Sequence, residues 1–194
     1  MKETGLLFTP ENYDKTERGV KTMTRRVIRP QPILVNDRTW TWPCDGIKSK
    51  ASWAKNLTGN TISLIPTEHC PFGTVGDRLY VKEGLERHGL GMRYRRDKQH
   101  MNPLTHGGRY TWAWQRDYLS PLHMPKWAAR LWLELVEVRV ERLGSITEED
   151  ARDEGVGSIS DFTELWKSIN ETWEPSLWVW VLGYKKLPHD QGAR

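Results

Sequence analysis

Two cysteines in 194 residues exclude a disulfide framework and a four-cysteine zinc site. So few cysteines make a reducing cytoplasm the simplest compartment. No apolar run reaches the roughly 20 residues of a membrane-spanning helix, so no membrane partner is expected. The opening stretch MKETGLLFTPENYDK has no long apolar segment before a small-residue cleavage site, so no secretory leader is expected either. Six histidines show no H-x-x-x-H spacing, and neither a P-loop nor a dinucleotide glycine fingerprint occurs. No metal and no cofactor is therefore expected. Phenylalanine is scarce, with 3 residues, yet 11 tryptophans offer ample core surface, which excludes fibrous and wholly disordered classes.

The formal net charge is only +4, but it is unevenly distributed. Between Glu134 and Glu174 there are 12 acidic and 4 basic residues, which leaves +12 on the remainder. A field of that size on one side would steer a polyanion towards the protein. Two solvated surfaces of opposite sign explain the same numbers.

Local patterns predict the elements. Residues 9–19 read as a short helix, with Thr9 as cap, Pro10 at the first helical position and Gly19 at the exit. Residues 20–29 are β-branched and basic and read as extended, ending at Pro30. Residues 31–72, with four prolines and three tryptophans, read as an irregular insertion. Gly76-Asp77 turns into a strand over 78–82, and residues 84–110 read as a mobile loop containing a hairpin.

In 131–142, LWLELVEVRVER, the apolar residues move from odd to even positions, which predicts a β-bulge or a strand that changes faces, as curved barrels need. Thr147 and Asp150 form a capping box for a helix over about 147–154. Phe162, Leu165, Trp166 and Ile169 recur at i, i+3, i+4 and i+7, which predicts an amphipathic helix. A buried strand over 178–187 closes the pattern, and 188–194 reads as a frayed tail. Strands interrupted by two consecutive helices predict an α+β fold, a small mixed barrel with helical insertions.

The segment Gly19-Val20-Lys21-Thr22-Met23-Thr24-Arg25-Arg26 carries the most chemistry. A lysine of lowered pKa can take a proton from a nearby threonine hydroxyl. Arg25 and Arg26 can clamp an anion. A basic edge strand kept soluble by its charges has the same composition. In a regular strand, moreover, residues 21 and 24 point to opposite faces, so their convergence requires a bulge or a turn between them.

Four blocks, GVKTMTRRVIRPQP, CPFGTVGDRLYVKE, PLHMPKWAARLWLELVEVRVERLGSITEEDARDEGV and FTELWKSIN…PSLWVWVLGYKKL, resemble ASCH-domain proteins of the phage and prophage type. They span nearly the whole chain. The resemblance implies a PUA-like β-barrel forming one domain over 1–187, with RNA or a modified nucleoside as partner. Some small ASCH proteins are amidohydrolases acting on N-acylated cytidine, and others are reported as ribonucleases.

On the amidohydrolase pattern, the resemblance assigns catalysis to Lys21, Thr24 and Glu154. Position alone makes Glu154 one more solvated acid of a helix that also carries Glu148, Glu149, Asp150 and Asp153. Further candidates for ligand contact are Arg25, Arg26, Thr22, Glu83 at a strand end, and His123 and Trp127 in the HMPKW element. Trp40, Trp42, Trp112, Trp114, Trp127, Trp178 and Trp180 are aromatics able to stack a base. Trp178 and Trp180 share a strand face and read as core, which leaves a loop aromatic such as Trp112 or Trp127. The cluster Arg93-Tyr94-Arg95-Arg96 with Lys98 suits a nucleic-acid backbone as well as a solvated loop. A non-catalytic RNA-binding module and a ribonuclease remain as alternatives to an amide hydrolase.

Overall fold

The computed structural model describes residues 1–36, 39–44, 47–52, 54–55, 61–62, 67–101, 112 and 114–188. In chain order the elements are β1 (Glu3–Leu7), α1 (Pro10–Glu17), β2 (Met23–Val27), β3 (Ile33–Asn36), β4 (Thr39–Cys44), β5 (Ile47–Ser52), β6 (Ala54–Lys55) and β7 (Thr61–Ile62). They continue with β8 (Arg78–Lys82), β9 (Leu85–His88), β10 (Gly91–Tyr94), β11 (Tyr118–Leu119), β12 (Trp132–Arg142), α2 (Glu148–Asp153), α3 (Ile159–Asn170) and β13 (Trp178–Lys186). The combination is α+β. No helix among the described residues is long and apolar enough to cross a membrane.

The main sheet has the order β1-β8-β12-β13-β2. β1 runs parallel to β8, and the other neighbours are antiparallel. The expected barrel is not found as a closed sheet. β1 and β2 end the order, and among the described residues no ladder joins them. The contact between these edges is made by a side chain instead, with an Arg26 Nη2 donating to the Leu7 carbonyl.

β12 bulges where its pattern changes parity. Its register against β13 shifts between Leu135 and Glu137, and the intervening Val136 is 47% exposed. Opposite the shift stands Gly183, where a Cβ would lie 3.0 Å from Glu137 Cβ.

β13 explains how the sheet is packed. Trp178, Trp180, Leu182 and Tyr184 face one core with Leu79, Val81, Leu133 and Leu135. Val179 and Val181 face the other way, into a second core with Ile146, Ala151, Phe162 and Trp166. Full burial of each such side chain stabilises the fold by about 1.5–3 kcal/mol. β2 pairs with β13 in register, so Thr24 opposite Leu182 and Arg26 opposite Trp180 lie on the first face. Met23, Arg25 and Val27 lie on the second, towards the helices. A third core under the β9–β10 hairpin holds Leu85, Met92, Tyr94, Met124 and Ala128. That hairpin occupies the first part of the segment read as a loop, and 102–110 lies outside the described residues.

Candidate functional site

Lys21 lies just before β2, outside the regular strand, which resolves the parity conflict with Thr24. Gly19 takes a φ of +74° at the end of α1, and the Val20 and Lys21 N–H groups both donate to the Lys15 carbonyl, at 2.9 and 3.2 Å. Thr22 N–H then turns to the Asp153 carbonyl at 2.8 Å, while the Thr22 carbonyl accepts from Tyr184 N–H at 2.8 Å.

From the other side, the capping box of Thr147 and Asp150 starts α2, and Glu154 forms its C-cap. Gly155 follows with a φ of +81°, and a Cβ there would lie 3.1 Å from Lys21 Cβ. The glycine allows the end of α2 to close on the Lys21 loop.

These two turns place the amine on the carboxylate. Lys21 Nζ donates to Glu154 Oε2 at 2.5 Å and to the Glu154 carbonyl at 2.9 Å. Glu154 Oε1 accepts from an Arg25 Nη1 at 3.3 Å. Lys21 is 2% exposed, Glu154 3% and Thr24 5%. Burial lowers the Lys21 pKa from its usual value, against the opposing pull of the Glu154 charge and hydrogen bond. Tyr184, in the first core, has its hydroxyl 3.2 Å from Thr16 Oγ1, and burial raises its pKa above the usual tyrosine value.

A pocket of about 100 Å³ opens here, lined by Lys21, Thr24, Arg25, Arg26 and Glu154 together with Leu7, Phe8, Asn12 and one side of α3. It wraps the free edge of β2, so both faces of that strand reach it. Thr24 Oγ1 makes no hydrogen bond among the described residues. Four buried polar atoms of lining residues also lack a partner: Nε of Arg25, Nε of Arg26, Nε1 of Trp166 and Oδ1 of Asn12.

The remaining candidates stand elsewhere or are engaged. Arg25 is held by carboxylates, with Nη2 2.8 Å from Asp150 Oδ2 and 3.4 Å from Glu141 Oε2. Arg26 stacks over the Phe8 ring at 5.6 Å and lines the pocket. Thr22 is exposed, and its hydroxyl donates to Asp153 Oδ1 at 3.1 Å.

Glu83 does not face this pocket. Its carboxylate accepts from Arg130 Nε and Nη2, each at 2.7 Å, and from Arg96 Nε at 3.1 Å. His123 is exposed on another surface, and Trp127 packs against the third core. The basic cluster over 93–98 is largely spent on internal pairs. Arg93 and Lys98 meet Glu86 at 2.6 and 2.9 Å, and Arg96 also reaches Asp14. Arg95 lies over the Tyr118 ring at 4.5 Å. Trp112 donates to the Arg116 carbonyl at 2.8 Å and meets Trp114 edge-on, with ring centroids 4.9 Å apart. The side chains of Trp40 and Trp42 lie outside the described residues.

Sequence reasoning missed Asn12 and the indole N–H of Trp166. Asn12 carries no motif, and Trp166 reads as part of an apolar stripe. Among the described residues, no group of three or more His, Cys, Asp or Glu side chains is placed to hold a metal ion.

Compared with known proteins, the chain matches no family model and no curated sequence. Among solved structures it is similar to the crystal structure of an ASCH domain from Lactobacillus crispatus JV V101. The two are 11% identical with a TM-score of 0.43, over 95% of this chain and 79% of that one.

Proposed function

We propose that this chain is a single ASCH domain of the PUA-like type over residues 1–187, and that its pocket binds a nucleobase or modified nucleobase and hydrolyses an amide on it. The observation that carries the reading is that Glu154, 133 residues on from Lys21, lines one pocket with Lys21 and Thr24. The ASCH-like motifs of the sequence supply the substrate class, an N-acylated cytidine. At about 100 Å³ the pocket is smaller than the ~300–1,000 Å³ of a site that encloses a whole ligand. It takes the acyl-amide end and leaves the sugar outside.

In this reading Lys21, whose pKa burial lowers, serves as the proton acceptor in its neutral amine form in a low-dielectric site. Thr24 Oγ attacks the acyl carbonyl carbon and its proton passes to Lys21 Nζ. The carbon–nitrogen bond then breaks, the leaving amine takes that proton from Lys21 Nζ, and cytidine departs. Water hydrolyses the threonine ester, releasing the carboxylic acid and restoring the hydroxyl. Arg26 supplies positive charge where the oxyanion develops.

The test is release of free cytidine from N4-acetylcytidine by purified protein, followed by mass spectrometry, with Thr24→Ala and Lys21→Met beside the wild type. Loss of release in both variants is expected. Full activity in Thr24→Ala would remove the nucleophile.

The short Lys21–Glu154 contact favours a second reading, a pocket that binds RNA or a modified base without turnover, with Lys21 held as a cation. That module would bind RNA with strong salt dependence, survive Thr24→Ala and weaken on loss of Arg26. A ribonuclease using the same cations would instead cleave RNA and lose cleavage in Lys21→Met.

A further inference from the structure

Trp166 is 5% exposed, and its ring packs as the helix pattern expects, with centroids 5.9 Å from Phe162 and 6.4 Å from Trp173. It also lines the pocket, and its Nε1–H has no acceptor among the described residues. An indole N–H only donates, so no change of tautomer or amide flip can satisfy it. Burial without an acceptor carries a desolvation cost that nothing among the described residues offsets.

The other unpartnered atoms at this pocket have the same bias. Nε of Arg25 and Nε of Arg26 are donors, and only Oδ1 of Asn12 accepts. A complementary ligand therefore presents mainly acceptors, such as carbonyl oxygens and ring nitrogens. Leu7, 40% exposed, and Ile169, 48% exposed, also line the pocket and give it apolar borders suited to a flat body.

We infer that Trp166 determines specificity, its indole N–H donating to the ring carbonyl of an acylated pyrimidine whose amide end lies at Lys21 and Thr24. The inference rests on the amide-site reading above and adds the part of the ligand that α3 recognises.

The test compares N4-acetylcytosine with N-(pyrimidin-4-yl)acetamide, which keeps the amide and lacks the ring carbonyl. Wild-type protein is expected to bind the first about tenfold more tightly, the worth of one buried hydrogen bond. Trp166→Phe keeps an aromatic ring in place and is expected to bind the two alike. A tenfold preference that persists in Trp166→Phe overturns the role of Trp166 and leaves the amide site standing. Binding of neither compound by the wild type overturns both. Should Trp166→Phe fail to fold, the indole N–H resonance of Trp166 in the wild type decides. A shift with N4-acetylcytosine alone supports the assignment, and equal or absent shifts overturn it.

Discussion

Glu154→Gln preserves shape and removes one buried charge. In the native protein that charge serves both Lys21, at 2.5 Å, and Arg25, at 3.3 Å. The variant leaves the Lys21 ammonium facing mainly a backbone carbonyl at 2.9 Å. Removing one partner of a buried ion pair costs roughly 3–5 kcal/mol. For a domain of this size that is about 6–20 °C in melting temperature.

Lys21→Met is expected to cost less, about 1–3 kcal/mol, because Glu154 keeps Arg25. The double variant should fall short of the summed costs by roughly 0.5–3 kcal/mol, since it removes both ends of one interaction. The pH dependence follows from the lowered Lys21 pKa. An amine with a lower pKa in the folded chain binds fewer protons there than when unfolded. Its penalty is fully present below the folded pKa, shrinks as pH rises past it, and vanishes above the unfolded value of about 10.4. Without the carboxylate the folded pKa falls further, so Glu154→Gln should gain stability more steeply than wild type as pH rises towards about 10. Urea unfolding followed by tryptophan fluorescence across that range measures all three quantities. Equal costs for the two single variants, an additive double variant and parallel pH slopes would together refute the picture of a shared buried carboxylate.

Other outcomes follow from the same geometry. Thr24→Val, at a hydroxyl with no partner among the described residues, should leave stability within about 1 kcal/mol while lowering hydrolysis of N4-acetylcytidine by at least ~10²-fold, read by melting and by product release. Gly155→Ala forces a side chain at a φ of +81° and within 3.1 Å of Lys21 Cβ. It should cost about 1–3 kcal/mol in urea unfolding and weaken ligand binding at the displaced lysine. At the bulge, Leu135→Ala should cost about 2–5 kcal/mol, since Leu135 is 0% exposed, whereas neighbouring Val136→Ser should stay within about 0.5 kcal/mol at 47% exposure. Similar losses for the two would place the register shift elsewhere.

What the sequence revealed was local. The parity change in 131–142 located the bulge at Val136, because side-chain alternation records which face is buried. Thr147 and Asp150 announced the start of α2, and the spacing from Phe162 to Ile169 announced α3. What stayed hidden depends on long-range pairing. The parallel strand β1 leaves no pattern that points to β8. Glu83 reads as a strand-end candidate for ligand contact until Arg96 and Arg130, which close on it, are brought near by folding. Lys21 and Thr24 conflict as a regular strand, and only the turn between Gly19 and Thr22 reconciles them. The indole N–H of Trp166 could not be distinguished from core packing, since periodicity reports burial and says nothing about hydrogen-bond partners.

The pairing of β2 with β13 has a consequence for biosynthesis. The Lys21 loop emerges from the ribosome early, yet the Tyr184 N–H that fastens Thr22 and the strand that flanks Thr24 are translated more than 150 residues later. Until Glu154 is made Lys21 and Arg25 lack the carboxylate they share, and until β13 is made β2 has no neighbouring strand. The site therefore assembles in a late, high-contact-order step, and polypeptides released before Tyr184 is made would carry the whole lysine–threonine motif but no pocket.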